Sequence, residues 1–162
     1  MLDQLKELLE MQRVLDENIF KTHGITEYPL ENMKLALFDE LGELLHEFPT
    51  KYKHWKKTAV DNSENGLEEY VDCLHFALSL ANHLGVWLCE SFEYEDCKLD
   101  EKYFSLYFHL VTLCDEVGLE HGGPILKRLF RLGNYFGFTW DEIYSTYKKK
   151  NAVNYERLKN GY

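Results

Sequence analysis

The sequence predicts an all-α fold. Three observations carry that reading: apolar residues recur at helical spacing through most of the chain, no stretch alternates with a period of two, and helix-starting and helix-stopping residues separate the periodic segments. No internal repeat or low-complexity tract appears. At 162 residues the chain reads as a single domain, 1–162. A chain of that size buries roughly 70% of its unfolded surface, enough for an ordinary core without staples.

Residues 2–20 form the first predicted helix, with Leu5, Leu8, Leu9, Leu15 and Ile19 along one stripe. Gln12 falls inside that stripe. It is either an amide at the stripe's edge or an amide turned into a pocket, able to donate and accept towards a base edge. Gly24 and Pro29 mark 21–30 as a connection. The second helix spans 31–48 and stops before Pro49. Its stripe is Leu37, Leu41, Leu44 and Phe48, with Glu40, Glu43 and Glu47 about 100° to the side.

Residues 49–66 connect to the third helix, with Asp61, Asn62, Ser63 and Gly66 as turn residues. Lys51, Lys53, Lys56 and Lys57 crowd this segment around Trp55. Either the loop is simply solvated, or a lysine reaches phosphate while Trp55 closes over a ring. The helix at 67–84 has a broad apolar arc of Leu67, Val71, Leu74, Leu78 and Ala81, while Glu69, Asp72 and Phe76 share another face. Acids beside an aromatic ring on a largely apolar helix fit poorly with a plain solvated surface. The run 73–89 lacks charged residues but is short and interrupted by His75, Asn82, His83 and Gly85, so it reads as a buried helix and not a membrane span. Residues 85–101 read as an acidic surface excursion. Helices follow at about 102–118 and 124–136, the latter opened by Pro124. Thr139-Trp140-Asp141-Glu142 has capping-box form and starts the last helix.

Charge narrows the function classes. A net charge of −10 argues against nucleic acid as a partner. Yet residues 147–162 hold Lys148, Lys149, Lys150, Arg157 and Lys159 against Glu156 alone, a basic segment on an acidic body. Asn151, Asn154 and Arg157 within it are spaced by three, and all suit phosphate oxygens. A solvated basic tail is the plainer alternative. Cys73, Cys89, Cys97 and Cys114 show no CxxC spacing, and Met1-Leu2-Asp3-Gln4-Leu5-Lys6 has no signal-peptide form. Reduced thiols and a cytoplasmic location are the expectation.

The chemistry concentrates between Leu37 and Leu78. Glu40-x-x-Glu43 and Glu69-x-x-Asp72 each put two carboxylates on one side of a helix. A hairpin of the two helices would gather all four. Each pair about 5 Å apart then repels by roughly 3 kcal/mol at an effective dielectric of 20. A divalent cation reverses that balance, and all-oxygen ligation points to Mg²⁺ or Mn²⁺ instead of zinc. No Ser-His-Asp pattern or Walker-type loop is present. An acidic metal nest, distant basic groups and groups suited to a base are together the parts needed to hydrolyse a nucleoside triphosphate.

These residues resemble the dimeric all-α dUTPases, related to MazG-type pyrophosphohydrolases. The resemblance covers nearly the whole chain: Gln12-x-x-Leu15-Asp16, Glu40-x-x-Glu43, Trp55-Lys56, Glu69-x-x-Asp72 with His75-Phe76, and Lys150-Asn151-x-x-Asn154-x-x-Arg157-x-x-x-Gly161-Tyr162. It implies cleavage of dUTP to dUMP and pyrophosphate, with Mg²⁺ held by Glu40, Glu43, Glu69 and Asp72. By the same resemblance Gln12, Trp55 and Phe76 line the base and sugar pocket with His75 near it, and Lys56, Lys150, Asn151, Asn154 and Arg157 hold phosphates. It also implies a homodimer whose partner chain helps complete each site. Leu158 departs from the pattern, standing where many relatives carry a glutamine, and the chain is compact.

Three other readings stay open at this stage. A related enzyme would prefer another base, such as that of dCTP. Glu43-x-x-His46 and Asp72-x-x-His75 superficially echo di-iron ligands. A non-enzymatic helical dimer would use the aromatic surface for an adaptor role.

Overall fold

A computed structural model describes residues 1–86, 93–94, 97, 105–116 and 122–161. Among these residues there are six α-helices, one short 3-10 turn and no strand. The helices are α1 (Leu2–His23), α2 (Leu30–His46), α3 (Ser63–Leu84), α4 (Leu106–Glu116), α5 (Gly123–Phe136) and α6 (Trp140–Lys159), with the 3-10 turn at Pro49–Lys51. The all-α expectation holds. The expected excursion over 85–101 falls largely outside the described residues, as do 102–104 and 117–118 of the expected fourth helix.

Helix α3 is the axis of the fold, packed against α1, α2, α5 and α6. Its sequence explains why: Tyr70, Val71, Cys73, Leu74, Ala77, Leu78, Leu80 and Ala81 are all fully buried, so the apolar arc covers most of its circumference. Buried stripes from the neighbours meet it, Leu5, Leu8 and Leu15 from α1, Leu37, Leu41 and Leu44 from α2, and Ile125, Leu126, Leu129 and Phe130 from α5. Cys73 and Cys97 are buried and not joined in a disulfide among the described residues.

Several boundaries differ from expectation, α2 among them, which ends at His46 instead of 48. Helix α1 runs three residues past Phe20 and ends at Gly24, whose φ of 66° suits a glycine left-handed cap. Helix α3 starts at Ser63 instead of 67, because the Asn62 side chain caps it by accepting from the Asn65 amide at 3.2 Å. Gly66 is therefore a first-turn residue and not a loop residue. A Cβ there would lie 2.5 Å from the Phe48 ring. Its bareness lets the end of α2 close onto α3. Asp61 ties the same connection by accepting from the Thr50 amide at 3.0 Å and the Thr50 hydroxyl at 2.6 Å.

The basic segment is not a solvated tail. Thr139 and Glu142 form the expected capping box, and α6 continues to Lys159. Trp140 Nε1 donates to Gln4 Oε1 at 2.7 Å, and Tyr144 and Lys148 donate to Glu7 at 2.6 and 2.9 Å, which fastens α6 along α1. Ile143, Tyr147 and Asn151, one turn apart, face inward.

Candidate active site

Because α2 and α3 pack side by side, Glu40 and Glu43 of one meet Glu69 of the other. One carboxylate oxygen from each lies within 4.8 Å of the others. Glu40 and Glu69 are partly buried and Glu43 is exposed, so the cluster opens to solvent on one side. Burial, followed by the negative charges of Asp72, Glu43 and Glu69, pushes the Glu40 carboxyl up to about 7, with Lys150 offsetting part of the effect. Burial likewise raises Glu69; Lys150 opposes this, while Asp72, Glu43 and Glu47 add to it.

Asp72, the fourth expected ligand, stands one step apart. Its Oδ2 pairs with Lys150 Nζ, which also donates to the Glu68 carbonyl at 3.0 Å. Lys150 thus bridges the acidic cluster to α6. Beside it runs a groove of about 500 Å³ lined by Glu68, Asp72, Lys149, Lys150, Asn154 and Arg157, among others. Lys150, Asn154 and Arg157 fall at i, i+4 and i+7 and so share one helical face. Asn151 does not join them. It is 4% exposed and turned towards the core. Equal spacing by three concealed that division.

One helical turn beyond Asp72 the chemistry changes. His75 Nδ1 lies 2.8 Å from Gln12 Oε1, which also accepts from the Tyr147 hydroxyl at 2.8 Å. Gln12 Nε2 donates to Asp16 Oδ1 at 2.7 Å. Gln12 is 4% exposed and turned inward, its amide taken up by Asp16, His75 and Tyr147. The His75 ring stacks on Tyr147 with centroids 4.2 Å apart. Burial, with Lys150 adding to it, lowers the His75 pKa to about 3, which keeps the ring neutral. Two buried atoms here have no hydrogen-bond partner, His75 Nε2 and Asn151 Nδ2. Leaving such atoms unpaired costs about 1–3 kcal/mol each, which a bound ligand can recover. His75 does not join the cluster of Glu40, Glu43 and Glu69, so the structure does not bring the Asp72-x-x-His75 pair together as a di-iron ligand set.

The remaining sequence-predicted residues spread out. Phe76 is half-buried and packs on the core. Trp55 is 67% exposed and meets only the edge of the His54 ring at 5.0 Å in the ring contacts, and Lys56 is also exposed. Neither lines the groove. Sequence reasoning gave no role to Tyr147, Asp16 or Lys149. A tyrosine on an amphipathic helix carries no spacing signal, whereas Asp16 was visible at the end of Gln12-x-x-Leu15-Asp16 and Lys149 as one of three consecutive lysines.

The all-α fold, with carboxylates from two adjacent helices next to a basic groove, suits the all-α class of nucleoside triphosphate pyrophosphohydrolases. A family model described as dUTPase matches residues 4–162, essentially the whole chain, and the chain belongs to the all-α dUTPase family. Its activity is that of a dUTP diphosphatase, which releases dUMP and pyrophosphate. No curated protein matches the chain. Such enzymes generally depend on a divalent metal, and three clustered carboxylate oxygens are the hard donors such an ion takes. No described helix is long and apolar enough to cross a membrane.

Proposed function

We propose that Glu40, Glu43, Glu69 and Asp72 hold Mg²⁺, with Mn²⁺ as a substitute, and that dUTP hydrolysis takes place at their open edge. The single observation that carries this reading is the approach of Glu40, Glu43 and Glu69 within 4.8 Å, which is electrostatically uphill without a cation. When bound, the ion neutralises phosphate charge and lowers the pKa of the attacking water. The chain's own residues do the rest. A cluster carboxylate turned away from the ion accepts the water's proton. Lys150, Asn154 and Arg157 along the groove bind phosphate oxygens and stabilise charge on the departing pyrophosphate. Lys150 leaves Asp72 to do so, which frees that carboxylate as the fourth ligand.

The base enters on the Gln12 and His75 side, where the unpaired Nε2 of His75 and Nδ2 of Asn151 await partners. Phe76 supplies an apolar edge one turn from Asp72. Trp55 and Lys56 come to the nucleotide only if the 49–62 connection folds over it. Residues 147–162 serve as the phosphate-binding part of one domain spanning 1–162.

The exposed Leu35 and Phe38 of α2 and Tyr107, Phe108 and Val111 of α4 support a homodimer, because these two helices pack together and present large apolar side chains outward. Light scattering should give twice the 19.2 kDa chain mass. Buried cysteines that form no disulfide among the described residues support a cytoplasmic location.

The test is a panel of deoxynucleoside triphosphates with released pyrophosphate measured, magnesium first supplied and then chelated. Turnover should be fastest on dUTP and should vanish with chelator. Equal or faster turnover of dCTP would overturn the base preference, and undiminished turnover in chelator would overturn the metal site.

A further inference from the structure

Three consecutive lysines on α6 point about 100° apart and so reach different surroundings. Lys148 pairs with Glu7 of α1, Lys149 lines the groove, and Lys150 turns onto α3. The Lys150 ammonium pairs with Asp72 Oδ2 and donates to the Glu68 carbonyl at 3.0 Å. Both side chains are largely withdrawn from solvent, with 22% of Lys150 and 27% of Asp72 exposed. The helix cannot readily turn away, since Tyr147 and Asn151 beside Lys150 are buried. A strongly hydrated ammonium leaves water at such a place only for close negative charge. The acidic cluster supplies it. Burial chiefly raises the Glu40 and Glu69 carboxyls, and Lys150 opposes that rise at both. Lys150 is therefore already a counter-charge to the clustered acids.

We propose that Lys150 is an internal counter-ion of the metal site, holding Asp72 until triphosphate arrives, so that a divalent ion binds weakly by itself and loads together with the nucleotide. This rests on the metal site proposed above. A carboxylate oxygen held by an ammonium cannot take a divalent cation without bringing two positive centres together. A free ion must therefore expel Lys150. The expelled ammonium joins Lys149 and Arg157 along the groove, where like charges meet. Triphosphate removes that cost, because its oxygens accept from the ammonium as Asp72 turns to the ion. Ion and nucleotide thus favour each other's binding, and by linkage the coupling is equal in both directions.

The experiment counts Mn²⁺ bound to the full chain by electron paramagnetic resonance, with and without α,β-imido-dUTP, correcting for Mn²⁺ that the analogue holds in solution. It compares the unmodified protein with Lys150→Met and Lys149→Met. Methionine keeps an unbranched stem and removes the charge. Lys150→Met should bind Mn²⁺ by itself about tenfold more tightly than the unmodified protein, and the tightening conferred by the analogue should shrink by a similar factor. Lys149→Met takes the same charge from the groove wall but leaves the Lys150–Asp72 pair in place, so its Mn²⁺ affinity should stay within about twofold. Unchanged or weaker Mn²⁺ binding in Lys150→Met overturns the inference, because a residue that only binds phosphate would leave that affinity untouched. Equal tightening in both variants overturns it too, as a general effect of charge. Melting in chelator checks that the variants fold. Should Lys150→Met not fold, acetic anhydride labelling of the unmodified protein decides: Mn²⁺ should raise acetylation of Lys150 and the analogue should lower it again, whereas no rise in saturating Mn²⁺ overturns the inference. A different result sinks the metal site itself: no Mn²⁺ bound by any of these proteins even with the analogue present.

Discussion

Two successive stretches of α3 solve opposite electrostatic problems. Around Glu69 and Asp72 the helix faces like charges, and the groups are held together by the packing of α2 on α3 in spite of their repulsion. Around His75 and Ser79 the groups are neutral or hydrogen-bonded, and the Gln12 amide satisfies Asp16, Tyr147 and His75 at once. The first region would gain stability from a bound cation. The second is organised beforehand and leaves only two atoms unpaired. A catalytic ion can be recruited from solution by unbalanced charge, but discrimination between similar bases requires fixed donors and acceptors.

That contrast can be broken most severely at Glu69. Replacing it with Gln should cut dUTP hydrolysis by about 10²–10³-fold. The same change should leave the melting temperature in chelator equal or higher, because a repulsive charge is gone. A melting temperature that falls along with activity would mean the carboxylate is a structural group.

The two regions should also separate by pH. Glu40 titrates near 4.5 when unfolded and at about 7 in the folded, metal-free protein. Between those values the folded state binds more protons, so stability falls as pH rises through this window. After allowance for solvent screening at this partly exposed group, Glu40 should make the metal-free protein about 1–2 kcal/mol less stable at pH 8 than at pH 5, read as the difference between the unmodified protein and Glu40→Gln so that the opposite contribution of His75 cancels. Saturating magnesium should remove most of that slope. Urea titrations at the two pH values measure both, and a slope of opposite sign would contradict the assignment of Glu40. His75 contributes in the opposite sense: its folded pKa of about 3 lies below the unfolded value of 6.5, so the unfolded state binds more protons between the two and stability rises with pH up to about 6.5.

Comparing two lysines sharpens the distinction within α6. Lys150 reaches Asp72 and the groove, whereas Lys148 pairs with Glu7 on the outer side. Lys150→Ala should raise KM for dUTP about tenfold, while Lys148→Ala should stay within about twofold. Equal effects would show that α6 contributes only general positive charge. The smallest effect should come from Thr139→Ala, which removes the capping box at a cost of about 1 kcal/mol and leaves kcat/KM unchanged.

Helical periodicity made the fold legible, and the i, i+3 acid pairs made half of the site legible, because both are local patterns on single helices. The start of α3 was misread because Gly66 looks like a turn residue, while its real reason is the close approach of Phe48, a contact between distant positions. The basic segment resembled a loose tail until Trp140 and Tyr144 were seen to anchor it on α1. The hydrogen-bond network at His75 was the least legible. It joins residues 63 and 135 positions apart; nothing local marks Tyr147, and Asp16 stood out only as the end of the Gln12-x-x-Leu15-Asp16 pattern, with no role attached.

The most direct measurement is calorimetric binding of the non-hydrolysable analogue α,β-imido-dUTP, with magnesium and with chelator, to the unmodified protein and to Glu69→Gln. Magnesium should tighten binding to the unmodified protein at least about tenfold and should have little effect on the variant. Equal affinity in magnesium and in chelator, or the same magnesium effect in both proteins, would contradict a cation shared between these carboxylates and the triphosphate.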